Sequence, residues 1–297
     1  MADFALQVQP ENAAEWLETA RRAEAVGFDT LLVPDHPGAC AAPFVALAAA
    51  AAVTSTIRLG SYVVNAGVRE PMLLAADVAT LDVVSGGRAL LGIGAGHTPA
   101  EWAAVGRTRP DVDSRVERCI AVAEATTALL RGEQVTVDGP YLRMTAAELA
   151  EPRPVQDRLP LLFGGGNTRL LRWAAQHADI IGLSGLGRTL PDGHMHTVRW
   201  RAGQIDTQVE LAGNTTVEAL VQHVEVTDDA GAAIAARFAD TGLSEAELQV
   251  APYVLVGTAD EIVAKVAEVR RRWGITRFAV RRNALDALGP LLPRLTG

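Results

Sequence analysis

Glycine in this 297-residue chain gathers where short apolar runs give way to polar turns. The three richest are Gly60-Ser61-Tyr62-Val63-Val64-Asn65-Ala66-Gly67, Gly92-Ile93-Gly94-Ala95-Gly96-His97 and Phe163-Gly164-Gly165-Gly166-Asn167-Thr168. Lacking a Cβ, such backbone can lie close against a flat or phosphorylated ligand. The Gly164-Gly165-Gly166-Asn167-Thr168 turn runs into a helical pattern, and the free N–H groups of a helix N-terminus make a phosphate seat. A triple-glycine turn alone is more often a plain tight turn; three glycine-rich ends meeting at one rim point to a ligand. Other candidates are weaker. His194 and His196 form an HxH without a third ligand at sensible spacing, so no metal site is expected and a substrate-facing loop is the better reading. Cys40 and Cys119 also lack metal-type spacing, which suits a reducing compartment. His177 reads as helix surface and His223 as strand packing, while Trp102 and Trp173 could wall a pocket or sit in the core.

Bringing those ends together requires a particular scaffold. Apolar runs at residues 4–8, 30–33, 57–64, 89–93, 161–163, 180–182, 219–226 and 277–280 read as strands. Helical spacing at 12–26, 44–53, 72–84, 116–130, 168–177, 229–239 and 260–273 separates most of them. The strands are too apolar for one-sided exposure, so they should be parallel and buried on both faces. About eight β/α alternations in a chain of this length favour an α/β fold of the (β/α)8 TIM barrel type, as one domain over 1–297. A Rossmann fold is the rival, but its glycine-rich loop should follow the first strand, and residues 7–11 contain no glycine. Two insertions interrupt the pattern: a hairpin near 134–144 with an Asp138-Gly139 turn, and a variable loop near 184–203.

Composition removes several classes. The net charge of −8 and the absence of basic clusters interleaved with aromatics argue against nucleic acid as a partner. No 18-residue stretch is both apolar and uncharged, and the N-terminus lacks a signal-peptide pattern, so a cytoplasmic protein without a membrane partner is expected. Lys265 is the only lysine, so any anionic ligand must be held by arginine or backbone amides.

The stretch Leu81-Asp82-Val83-Val84-Ser85-Gly86-Gly87-Arg88-Ala89-Leu90-Leu91-Gly92-Ile93-Gly94-Ala95-Gly96 closely resembles the LDxLSGGR…LGxGxG signature of the bacterial luciferase-like superfamily. Further matches run along nearly the whole chain: residues 20–28 with Asp35-His36, 59–71, 160–179, and Pro252-Tyr253-Val254-Leu255-Val256-Gly257 followed by Trp273-Gly274-Ile275-Thr276. The pattern looks closest to the branch using coenzyme F420, a deazaflavin, although FMN-binding relatives share much of it. The resemblance implies that Asp35 and His36 are catalytic residues near the deazaflavin ring, with His36 moving a proton as hydride transfers at C5. It implies a non-proline cis peptide at Tyr62-Val63 backing the ring, with Asn65 reaching the ring's polar edge. Ala95, Gly96 and His97 match positions contacting the cofactor chain or substrate. Some relatives carry a proton-donating glutamate where His97 stands, so His97 is a candidate second acid/base. Gly164, Gly165 and Gly166 match the phosphate-binding turn, with Asn167 and Thr168 as added donors. For the F420 phosphodiester and polyglutamate tail, Arg69, Arg107, Arg109 and Arg188 are available. The expected activity is F420-dependent hydride transfer to or from a small organic substrate: alcohol oxidation, or C=C or C=N reduction. An FMN-dependent monooxygenase is the alternative, and a non-catalytic flavin-binding protein a third. Substrate choice should fall to the loops 37–43 and 184–203, and relatives commonly form homodimers.

Overall fold

The computed structural model describes residues 1–190 and 195–297. Eight strands form its centre: β1 Asp3–Gln7, β2 Thr30–Val33, β3 Arg58–Ser61, β4 Ala89–Gly94, β5 Leu161–Gly164, β6 Ile180–Leu183, β7 Thr216–Leu220 and β8 Arg277–Arg281. Each pairs in parallel with its sequence neighbours, and β8 pairs with β1, which closes the expected TIM barrel. In this circular order β4 stands across the barrel from β8.

Period-2 alternation explains the two buried faces. Ala5, Leu32, Leu90, Leu162, Ile180, Leu220 and Ala279 point inward and fill the barrel together with Tyr62. Phe4, Leu31, Leu91, Phe163, Ile181 and Phe278 point outward into the layer shared with the surrounding helices. The N-terminal mouth is sealed by Arg277, which pairs with Asp29 at 2.8 Å and with Glu218 and Asp3 at 3.3 Å each. Ligand access is therefore left to the C-terminal mouth. No described helix is long and apolar enough to cross a membrane.

Three departures from the sequence pattern matter. The run 57–64 is not one strand: it breaks after Ser61, passes through a cis Tyr62-Val63 peptide, and resumes as Val64–Asn65 beside Ile93 and Gly94. The run 219–226 also divides. Thr216–Leu220 is β7, whereas His223–Val226 leaves the barrel and pairs in parallel with Val254–Gly257. Helices Pro99–Ala104, Ala202–Ala212 and Glu245–Val250 had no counterpart in the pattern. The hairpin is present, with Val135–Asp138 antiparallel to Arg143–Ala147. In the variable segment Leu186–Thr189 pairs with His196–Val198, and His194 lies outside the described residues.

Candidate active site

The C-terminal mouth holds a cavity of about 580 Å³. Its floor is the Tyr62-Val63 bulge. The Tyr62 side chain drops into the barrel, its Oη buried without a hydrogen-bond partner among the described residues, while Val63 lines the cavity above. The glycines at the strand ends serve this bulge first. A Cβ on Gly92 would lie 1.9 Å from Ser61 O, on Gly94 2.6 Å from Val63 Cγ2, on Gly164 2.7 Å from Val63 Cγ1, and on Gly182 2.4 Å from Tyr62 Oη. All four have to be small because the floor occupies the space a side chain would take.

Asp35 and His36 follow β2, and their side chains have separate fates. Asp35 is buried: Arg69 donates to both of its oxygens at 2.7 and 3.0 Å, and the Asn65 N–H adds a third bond at 3.2 Å. With its carboxylate consumed, Asp35 locks the loop to the bulge. His36 instead faces the cavity, and its Nδ1 lies 2.6 Å from Glu101 Oε1. The other Glu101 oxygen accepts from Asn65 Nδ2 at 2.6 Å, and Asn65 Oδ1 accepts the Gly67 N–H at 2.8 Å. The Asn65 amide thus orients Glu101, with both ends committed.

Glu101 was missed in the sequence. It sits on helix Pro99–Ala104, one turn beyond His97, with its side chain 5% exposed. The hydrogen bond to Glu101 raises the His36 pKa above its ordinary value, outweighing the opposite pull of burial. Burial would raise the pKa of Glu101, but its bonds from His36 and Asn65 win and hold it below the usual carboxylate range. Together they form a proton-binding pair on the cavity wall.

His97 meets His36 edge-on at 5.6 Å between ring centroids and His196 at 4.6 Å. Burial, with the neighbouring His196 and His36, pulls its pKa down to about 4, so it is a neutral ring at pH 7. His196 brings the variable segment to the wall, where Leu186, Gly187 and Cys40 of the 37–43 loop also lie. Among the described residues no cluster of three or more His, Cys, Asp or Glu could hold a metal.

The glycine turn after β5 lines the cavity through Gly164, Gly165, Gly166 and Asn167. Asn167 caps helix Thr168–His177: its Oδ1 accepts from the N–H groups of Arg169 and Leu170. The Gly165 N–H donates to Gly182 O. The N–H groups of Gly166, Asn167 and Thr168 find no protein acceptor among the described residues, although the Thr168 side chain is exposed and off the cavity. Beside Ala95 and Gly96, Arg115 Nη1 donates to Gly96 O at 2.6 Å. Arg115 is the cation missed on this side. Of those considered from sequence, Arg69 is spent on Asp35 and Arg107 on Glu70, and neither they nor Arg109 and Arg188 line the cavity. Trp102 and Trp173 are also off it, packing on Gly67 and Phe163 respectively.

This chain is 33% identical over 188 residues to an uncharacterized protein of Mycobacterium tuberculosis, a match that covers 54% of this chain and 64% of the relative. Solved structures share the fold over 99% of the chain. A monooxygenase from Streptomyces bottropensis superposes with a TM-score of 0.76 at 21% identity, covering 100% of that chain. A coenzyme F420 dependent tetrahydromethanopterin reductase from Methanopyrus kandleri gives 0.74 at 19%, covering 99% of that chain. The oxygenating constituent of a Pseudomonas putida diketocamphane monooxygenase, in complex with FMN, gives 0.71 at 18%, covering 96% of that chain. The family model for luciferase-like monooxygenases matches residues 2–277, and the chain belongs to that family.

Proposed function

We propose that this protein is an F420-dependent oxidoreductase that moves a hydride between the deazaflavin and a small organic substrate, oxidising an alcohol or reducing a C=C or C=N bond. The observation that carries this reading is the 2.6 Å contact between His36 and Glu101 beside the Val63 bulge. Hydride transfer at a substrate carbon requires a proton to leave or join the substrate, and a histidine held to a carboxylate is suited to both directions. With Nδ1 bound to Glu101, Nε2 is the nitrogen left to exchange that proton. Asp35 and Asn65 keep the pair in register with the floor, and neutral His97 walls the proton site.

A planar, phosphate-bearing cofactor fits the remaining groups. The free N–H groups at 166–168 and the Arg115 guanidinium supply donors for an anionic chain, and Val63, Val116, Leu170 and Leu220 supply apolar cover for a ring. When bound, the deazaflavin supplies the hydride; the chain supplies position and the proton.

The second reading is an FMN-dependent monooxygenase fed by a partner reductase. It is supported by the FMN-bound neighbour and by donors that suit either phosphate. The His36–Glu101 pair speaks against a non-catalytic flavin-binding protein. A homodimer belongs to the proposal, with Val45, Leu73 and Val84 exposed on the helices Pro43–Ala51 and Pro71–Ser85 as apolar surface for it. Titration with F420 and FMN separately, followed by fluorescence, is the test. F420 binding with oxidation of added F420H2 by candidate carbonyl or alkene substrates supports the first reading. Binding of FMN alone favours the second. Association of neither at micromolar concentration removes the enzymatic assignment.

A further inference from the structure

Alternation along β8 turns Arg281 inward above Ala279, at the C-terminal mouth and against the cavity. Two neutral amides hold its guanidinium: Nη1 donates to Gln7 Oε1, and Nη2 to Gln222 Oε1 at 3.1 Å. Those amides present their oxygens because their nitrogens are used elsewhere. Gln7 Nε2 donates to Tyr62 O at 2.7 Å, and Gln222 Nε2 to Ser184 O at 3.0 Å. Among the described residues no carboxylate makes an ion pair with Arg281, whereas the adjacent Arg282 is neutralised by Glu15 and Glu11. A guanidinium carries five N–H donors in a fixed fork, of which two are spent. Burying a cation without a counter-charge is costly, and the cost is recovered when an anion docks.

Position says which anion. The free N–H groups at 166–168 and Arg115 lie on the β4–β5 side of the mouth, and β8 faces β4 across it. A cofactor chain seated on the former leaves Arg281 beside the opposite wall, with His36 and the variable segment between. We propose that Arg281 receives a carboxylate or phosphate group of the substrate, so that the substrates of this enzyme are anions bound through a bidentate fork. This rests on the cofactor occupying the β4–β5 side, as in the proposed function.

The probe is inorganic phosphate, titrated calorimetrically into the protein with and without saturating F420 or FMN. Millimolar binding to wild type, weakened about tenfold or more in Arg281→Gln, with cofactor affinity held within about twofold, is the expected result. Arg281→Met is the second variant, uncharged and of similar reach, should the first lose its fold by circular dichroism. Phosphate binding unaffected by either substitution, or no binding by wild type up to about 50 mM, overturns the proposal. A larger loss of cofactor than of phosphate affinity assigns the guanidinium to the cofactor and also overturns it. If neither cofactor binds, the proposed function falls while the cofactor-free titration still reads Arg281.

Discussion

Replacing Glu101 by Gln keeps the shape of the site and removes the charge that sets the His36 proton. The wild-type pair has a defined pH window. The His36 pKa lies above its ordinary 6.5, so its contribution to stability is complete below 6.5 and is lost as pH rises through the folded value. The Glu101 pKa lies below its ordinary 4.5, so its contribution is present above 4.5 and is lost as pH falls through the folded value. The pair therefore acts fully between about 4.5 and 6.5. A hydrogen bond between charged groups is worth about 1.5–3 kcal/mol, but the His36 side chain is 38% exposed. Solvent screening reduces the contribution to about 0.5–1 kcal/mol. For a chain of this size that is about 1–3 °C in melting temperature. Melts of wild type and Glu101→Gln from pH 5 to 9 should differ by that amount at pH 5–6.5 and converge toward pH 9. The His36 imidazole resonance, assigned with His36→Ala, should titrate at lower pH in the variant. A difference that stays constant from pH 5 to 9, or an unmoved His36 titration, refutes the account of the pair. In turnover the alkaline limb of the pH profile should move to lower pH while cofactor affinity stays put.

Asp35→Asn leaves the Arg69 cation against a neutral amide and should cost about 3 kcal/mol by denaturant unfolding, because the Asp35 carboxylate is buried beneath two guanidinium bonds. An unchanged midpoint would show that Asp35 does not hold the loop. Gly164→Ala pushes a methyl into Val63 and should destabilise by about 1–3 kcal/mol while weakening cofactor binding; intact affinity would separate the bulge from the cofactor site. His97, whose pKa falls to about 4 in the folded chain, takes up a proton in the unfolded chain first, so stability drops as pH falls from 6.5 toward 4. His97→Gln should flatten that slope by up to about 3 kcal/mol in chemical denaturation, and an unaltered slope would deny the buried neutral ring.

The barrel was legible because each strand carries apolar residues at both parities, and two-sided burial by helices explains that pattern. Six of the eight strands lie within a residue of their apolar runs, the exceptions being the broken runs 57–64 and 219–226, and the family pattern located the cis bond at Tyr62-Val63 where it occurs. The break at 221–222 was invisible, since 219–226 reads as one run and only pairing of His223–Val226 with Val254–Gly257 separates its second half from the barrel strand Thr216–Leu220. Glu101 was hidden for another reason. Its partners His36 and Asn65 lie 65 and 36 residues away, and its sole local signal is its place four residues after His97, on a six-residue helix that begins beyond that histidine. The arginines failed as a group because charge alone does not say which are already paired: Arg69 and Arg107 form ion pairs with acids, and among the described residues Arg115 and Arg281 form none.

Tyr62 gives the pocket a floor made of the same atoms that fill the barrel's middle. A change of substrate preference cannot be carved from below without emptying the core that holds eight strands together. The collar is different: Cys40, Leu186 and His196 line the cavity from loop segments outside the eight strands, so the cavity wall there can change shape without touching the barrel's fill.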